Sequence, residues 1–335
     1  MPETSSESRN PESKSMNGGK TDSDNSRPAS ATLTSAVGDK TPLVTEQPSI
    51  LPTLLKRGVV LALIAAAVAG VAEIQSGFLS NMVVRLLGPP QVELRESYAN
   101  TESTTAFDHS LFNILLSESV DADGWVDYQG IKNAEPRLQT YLDSIAAADP
   151  DALGRDDRLA LLINAYNAFT LKLILEHYPL RSVKDVSAAE RWDAVRWNLG
   201  GRTVSLGQIE HELIRPHFVE PRIHFALVCA AVGCPPLRNE AYTGARLEEQ
   251  LSQQTTYVHE HDTWFQYRSG GRQLKLTQLY SWYGNDFVQS AGSVLEFVAQ
   301  HSPVLRRDIE RGHVPTVEWL DYDWTLNDVK NRSPR

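Results

Sequence analysis

No aromatic residue occurs in the first 57 positions; all seven Trp, eleven Tyr and nine Phe follow them. A chain built this way can form its core only from its later part. Residues 1–57 contain ten serines, and their seven Lys/Arg balance seven Asp/Glu. Such a stretch cannot bury enough apolar surface to offset the entropy of ordering, and it reads as a disordered cytoplasmic tail. The net charge of −10 therefore belongs to the rest of the chain. An acidic domain lacks the basic footprint that phosphate backbones require, so nucleic acid is not the expected partner.

Lys56-Arg57 introduces an apolar run from Gly58 to Ala72, which Glu73 and Gln75 interrupt before it resumes to Leu87. Fifteen residues of helix rise about 22 Å, short of a ~30 Å hydrocarbon core, whereas extension to Leu79 suffices to span. Three readings compete: a buried core helix, a cleaved signal with small-x-small sites near Ala67 to Ala72, and an uncleaved signal anchor. The basic pair before the run favours the anchor. It places 58–87 in the inner (cytoplasmic) membrane as a single span, with the following domain outside the cytoplasm. Residues 88–105 read as a linker, 106–327 as the globular domain and 328–335 as a short tail.

Within the domain the longest helical signal runs from Arg155 to Tyr178. Leu159, Leu162, Ile163, Tyr166, Phe169, Leu173 and Ile174 form its wide apolar stripe. Further helices are expected near 107–116, 136–147, 205–215, 246–257, 294–299 and 304–309. Ser182 and Ser205, each followed three residues later by Asp185 or Gln208, look like capping boxes. Gly200-Gly201 and Gly270-Gly271 mark two hairpins. Asp121 to Gly124 reads as a turn into a short strand. Its D-x-D-G start lacks the later oxygen ligands of a calcium loop. Ile223–Val228 reads as a buried strand and 317–322 as a last one. Helices and hairpins without regular alternation imply an α+β fold.

Residues that carry chemistry concentrate in two places. Asn164 and Asn167 share one face of the apolar helix, where they either tie loops down or line a polar cleft. His224 and Cys229 bracket the apolar run 223–228 as a candidate general base and nucleophile. Five residues apart, they face opposite sides of a straight strand and meet only if the chain bends. Glu210 or Asn164 is the candidate orienter of the histidine. Tyr166, Asn167, Arg222 and Arg215 are candidate binding residues. Cys229 and Cys234 form a C-x4-C pair for which a disulfide is chemically permitted. No histidines or cysteines are spaced for zinc, so neither metal nor cofactor is expected.

Asn164-Ala-Tyr166-Asn167-Ala, Ser205-Leu-Gly-Gln-Ile-Glu210-His211, His224-Phe-Ala-Leu-Val-Cys229 with Cys234-Pro-Pro-Leu237, and Tyr322-Asp-Trp324-Thr-Leu-Asn327 occur in this order. Together they resemble the family catalogued as domain of unknown function 547, over about residues 106–327. The resemblance implies that the first cysteine is the steadier of the two and that the second can be serine. It carries no established reaction. By analogy of residue types alone, the domain is loosely papain- or transglutaminase-like. Two functions are expected to compete: a membrane-anchored thiol-dependent hydrolase or acyl/amide transferase, and a non-catalytic tethered module binding a peptide or envelope polymer.

Overall fold

The computed structural model describes residues 89–99, 101 and 105–332. The tail 1–57 and the apolar run 58–87 lie outside the described residues. The domain is α+β. Its first layer is built by α1 (Ser110–Ser119), α2 (Tyr128–Asn133), α3 (Glu135–Ala146) and α4 (Arg155–His177). Helix α4 is the only described helix long and apolar enough to cross a membrane. Here it is the core helix: every residue from Arg158 to Leu171 is buried, with Asn164 and Asn167 among them. Asp156 and Asp157 in its first turn and His177 in its last complement the helix dipole.

A short α5 (Ala188–Arg191) leads into hairpin β1 (Trp197–Leu199) and β2 (Arg202–Val204), in antiparallel register Trp197↔Val204. Gly200 and Gly201 turn it with φ of 55° and 73°, which side chains with a Cβ rarely adopt. The capping boxes at Ser182 and Ser205 both form. After Ser205, α6 (Leu206–Gln208) widens into a π-helical turn over Ile209–Ile214. Such turns are rare and concentrate at functional sites.

The last third begins with α7 (Leu247–Glu260). A mixed sheet follows, in which β3 (Phe265–Gln266) pairs antiparallel with β4 (Gln273–Leu276), and β4 pairs parallel with β5 (Thr316–Trp319). Between β4 and β5 run α8 (Leu279–Trp282), α9 (Gly284–Ala291), α10 (Val294–His301) and α11 (Pro303–Glu310). These elements enclose a second apolar cluster around Phe225, Val258, Leu274, Leu276 and Phe287. The first and larger cluster surrounds α4. Ile223 packs in the first and Phe225 in the second. His224, between them, lies on the seam of the two cores.

Three expectations are corrected. Ile223–Val228 is buried, but it is not a strand: Pro221–Phe225 forms a 3-10 turn and a loop follows. Asn167 and Gln254 take over its backbone groups. Asn167 donates to Ala226 O at 3.0 Å and accepts from Val228 N at 3.0 Å, and Gln254 donates to Phe225 O. Buried peptide groups must be paired, and side-chain amides serve as well as a strand. The described part of the expected linker 88–105 is bonded to the domain. Arg215 donates to Pro90 O, Asn285 and Gln289 donate to Val92 O, and Ser97 N donates to His217 O. At the other end, Asp328 accepts from the Tyr178 hydroxyl at 2.7 Å and Arg332 pairs with Asp121, so 328–332 is part of the fold.

Candidate functional site

The π-helical turn, the 3-10 turn and α9 deliver a buried charge network to the seam. Arg215 grips Asp286 with two hydrogen bonds, Nε to Oδ2 at 2.7 Å and Nη2 to Oδ1 at 2.8 Å. Both side chains are almost fully excluded from solvent. His224 Nε2 lies 2.9 Å from the same Asp286 Oδ2, and its Nδ1 is 3.8 Å from Glu210 Oε1. Tyr283 stacks on the imidazole at 3.7 Å between ring centroids. Burial opposes ionisation of Asp286, but the Arg215 and His224 partners outweigh it and hold the carboxyl at about 2. Burial lowers the His224 pKa despite both carboxylates, so the ring is neutral and Nε2–H donates to Asp286.

The thiol site is built by the loop 229–234. Ala230 has φ of +61°, a left-handed conformation that costs a residue with a Cβ about 1 kcal/mol or more. The turn brings the Ala231 N–H toward the Cys229 sulfur. Cys229 N donates to Cys234 Sγ at 3.2 Å, and the Cys234 thiol lies 3.8 Å from Leu227 O. The Tyr322 hydroxyl lies 3.0 Å from Cys229 Sγ. Cys229 is part-exposed, Cys234 is buried, and both thiols are free. The Cys234 thiol, then the Tyr322 phenol and the Ala231 N–H, draw the Cys229 pKa down against the effect of burial. Burial pushes the Cys234 thiol well up, and the Cys229 sulfur adds to this.

The C-terminal segment is held over this loop by main-chain bonds. Val232 N donates to Thr325 O and Gly233 N to Asp323 O, both at 2.8 Å. A Cβ on Gly233 would stand 2.7 Å from Asp323 N and 3.0 Å from Asp323 O, which are backbone atoms that cannot swing aside. Gly233→Ala is therefore expected to cost about 1–3 kcal/mol and to separate Tyr322 from Cys229. Thermal unfolding and the pH midpoint of Cys229 alkylation measure the two effects. An unchanged midpoint would show that Tyr322 is not held by this pairing.

Tyr322 is also one of three part-exposed aromatic rings. Its centroid lies 4.9 Å from that of Trp282 and 4.6 Å from that of Trp324, and Lys184 sits over Trp324 at 4.3 Å. Tyr166, from the middle of α4, stands between the two clusters. Burial raises its phenol pKa first, followed by the nearby Glu210, Cys229 and Cys234. Glu210 raises the phenol pKa of both Tyr166 and Tyr283, after burial. A cleft of about 520 Å³ is lined in part by the 229–234 loop. Cys234, Asp123, His261, Trp264, Asp323 and Arg332 are among its lining residues, and Cys229 is not.

Of the residues expected from sequence, Tyr166, Glu210, Arg215, His224 and Cys229 come into this connected region. The expected thiol–imidazole pairing does not form. His224 is committed to Asp286 and Glu210, while Cys229 is served by Tyr322, Cys234 and the loop backbone. The bend that pairing required exists, but it turns Cys229 toward Cys234. Asn164 is no orienter of His224: its amide donates to Tyr242 O at 2.7 Å and accepts from Tyr242 N at 3.0 Å. Asn167 likewise serves the 226–228 backbone. Arg222 pairs with Glu220 and Glu248 rather than with this region. Sequence reasoning gave no role to Asp286, Trp282, Tyr283 or Tyr322. The only signal was aromatic density near 280–287 and the Tyr-Asp-Trp run at 322–324.

Residues 150–257 match the family model described as protein of unknown function, DUF547. The match contains Tyr166, Glu210, Arg215, His224, Cys229 and Cys234, and ends before Asp286 and Tyr322. No curated protein and no solved structure matches the chain.

Proposed function

From a chain that carries a DUF547-family domain at residues 150–257, we propose a thiol enzyme, a hydrolase or acyl/amide transferase in which Cys229 attacks an acyl carbon. The observation that supports it is the convergence of Tyr322, Cys234 and the Ala231 N–H on the sulfur of one part-exposed cysteine. Donors aimed at a sulfur stabilise the thiolate, the competent nucleophile. An inert buried cysteine has no such surround. The thiolate adds to the carbonyl carbon and the carbonyl electron pair moves onto oxygen. Collapse expels the amine, alcohol or thiol, which takes up a proton. Water or an acceptor nucleophile then cleaves the acyl thioester and restores the thiol. Burial raises the Tyr322 phenol pKa well above 10, so it keeps its proton beside the reacting sulfur. His224 is a positioning residue in this scheme and not the general base.

The analogy to papain and transglutaminase cores belongs to this proposal. So does the cellular setting. A signal anchor at 58–87 would hold the domain outside the inner membrane, facing a peptide or envelope polymer. The part-exposed Trp282, Tyr322 and Trp324 rings offer such a polymer a stacking surface beside the thiol. The second reading, a binding module without turnover, is favoured by the 520 Å³ cleft, which excludes Cys229.

Alkylation decides between them. Iodoacetamide is expected to label Cys229 in the folded chain with a pH midpoint below the ~8.5 of free cysteine. Tyr322→Phe should raise that midpoint, Cys229→Ala should abolish the labelling, and an activated acyl ester should leave a mass adduct on Cys229. A midpoint at or above that of free cysteine, with no acyl adduct, would leave the binding module as the better reading.

A further inference from the structure

The acyl chemistry uses Cys234 only as a neighbour, yet the fold places this second sulfur beside the first cysteine. We infer that Cys229 and Cys234 form a reversible oxidation site, at which a hydroperoxide converts the two thiols into an intramolecular disulfide. The inference rests on the loop geometry and stands whether or not Cys229 is an acyl acceptor.

Three features of the loop support it. The chain between the cysteines folds back on itself through the left-handed Ala230, and Cys234 N donates to Ala231 O at 3.0 Å. The Cys229 N–H to Cys234 Sγ bond of 3.2 Å sets the second sulfur against the backbone of the first cysteine and leaves little movement for bond formation. The loop is also pinned from outside, because Trp264 Nε1 donates to Gly233 O at 2.9 Å and Val232 and Gly233 bond to the 323–325 backbone.

The two thiols are unequal in the way a two-step oxidation requires. Cys229 is part-exposed and receives the donors that favour thiolate, so it meets the oxidant first. Cys234 is buried, with its sulfur 3.8 Å from Leu227 O, and keeps its proton, so it is spared. The Cys229 thiolate attacks one oxygen of the hydroperoxide and the O–O bond breaks. Cys229 becomes a sulfenic acid, and the departing alkoxide or hydroxide is protonated. The Cys234 sulfur then attacks the Cys229 sulfur, the S–O bond breaks and hydroxide leaves with the Cys234 proton as water. Two thiols lose two electrons, and the peroxide is reduced to an alcohol or water plus a second water. A dithiol reverses the step. Oxidation in this way withdraws the nucleophile and removes the thiol partner of Tyr322.

Both cysteines lie on one tryptic peptide, Ile223–Arg238. The full chain is treated with stoichiometric hydrogen peroxide and then with N-ethylmaleimide under denaturing conditions. The peptide is expected to be about 2 Da lighter, from the loss of two hydrogens, free of maleimide, and restored by dithiothreitol. In Cys234→Ser the disulfide should vanish and dimedone should trap a sulfenic acid on Cys229. Cys234→Ala, checked by circular dichroism, guards against a folding defect in the serine variant. Maleimide on both cysteines after peroxide would overturn the inference, as would dimedone trapping of native Cys229 at the level of the variants. Iodoacetamide labelling before peroxide reports separately on the nucleophile, so loss of one result does not imply loss of the other.

Discussion

Asp286→Ala is expected to destabilise the domain by about 3–5 kcal/mol, the cost of stripping the partner from a buried charge. Asp286 is the single carboxylate gripping Arg215 through two nitrogens, and it also receives His224. Arg215 is almost fully buried and cannot lose its proton, so removal of Asp286 leaves a cation in the seam between the two apolar clusters. Its remaining hydrogen-bond partners are Pro90 O at 2.8 Å and His211 Nδ1 at 3.1 Å, with the Tyr283 ring 5.3 Å away, and none of these is an anion. Glu210 lies near enough to act on Arg215 but also acts on Tyr166 and Tyr283. For a domain of this size, such a loss lowers the melting temperature by roughly 6–20 °C. Asp286→Asn keeps the shape and one acceptor, and should recover only part of the loss. The pair Asp286→Ala with Arg215→Met removes both charges and should be more stable than Asp286→Ala alone, because no uncompensated ion remains. Urea unfolding of the four proteins measures this. A loss under about 1 kcal/mol for Asp286→Ala would mean that water reaches Arg215 and that the network does not hold the seam.

That network shows where sequence reasoning ends. The stripe on α4, the two capping boxes and the Gly200-Gly201 turn are local signals, because each depends on residues within a turn or two of one another. Asp286 has no local signal. It matters because of Arg215, 71 residues away, and His224, 62 residues away. Tyr322 and Cys229 are 93 residues apart. The segment 223–228 misled for a related reason. Apolar composition reports burial, and the segment is buried. A strand also needs a neighbouring strand, and here Asn167 and Gln254, from α4 and α7, satisfy the backbone instead. Asn164 and Asn167 look like site residues when only their burial is known. Their partners are main-chain atoms, so they hold the loops that carry the chemistry and do not line a cleft. The motifs between Asn164 and Cys234 still identified the region, and residues 150–257 match the family model.

Acidification from pH 7 to pH 4.5 is expected to remove several kcal/mol of stability, through histidines rather than carboxylates. Burial lowers the pKa of His109, His211, His224, His259 and His301. For His109 and His259 it goes from the ordinary 6.5 to about 4. A depressed pKa in the folded state means that the unfolded chain binds the proton more readily. The stability these residues contribute is full above about 6.5 and is lost as the pH falls toward 4. At about 1.4 kcal/mol per pH unit, each of the two accounts for roughly 3 kcal/mol, against a total stability of about 5–15 kcal/mol. The hydrogen bonds of His259 show the atomic cause. Its Nδ1 lies 2.7 Å from Thr255 O, a carbonyl that can only accept, so Nδ1 holds the proton and Nε2 accepts from the Tyr280 hydroxyl at 2.8 Å. A second proton on Nε2 turns that hydroxyl from donor to acceptor inside an apolar cluster. His109 is similarly enclosed, with Nδ1 2.7 Å from the Tyr141 hydroxyl. Asp286, held at about 2, adds its own loss only between about pH 4 and 2. Chemical denaturation at half-unit steps should therefore show stability falling from about pH 6.5, well before carboxylates protonate. His259→Gln, which keeps a donor and an acceptor, should lower stability at pH 7 and flatten this slope. A stability that stays constant from pH 7 to 5, or an unchanged slope in His259→Gln, would show that these rings take up protons in the folded state.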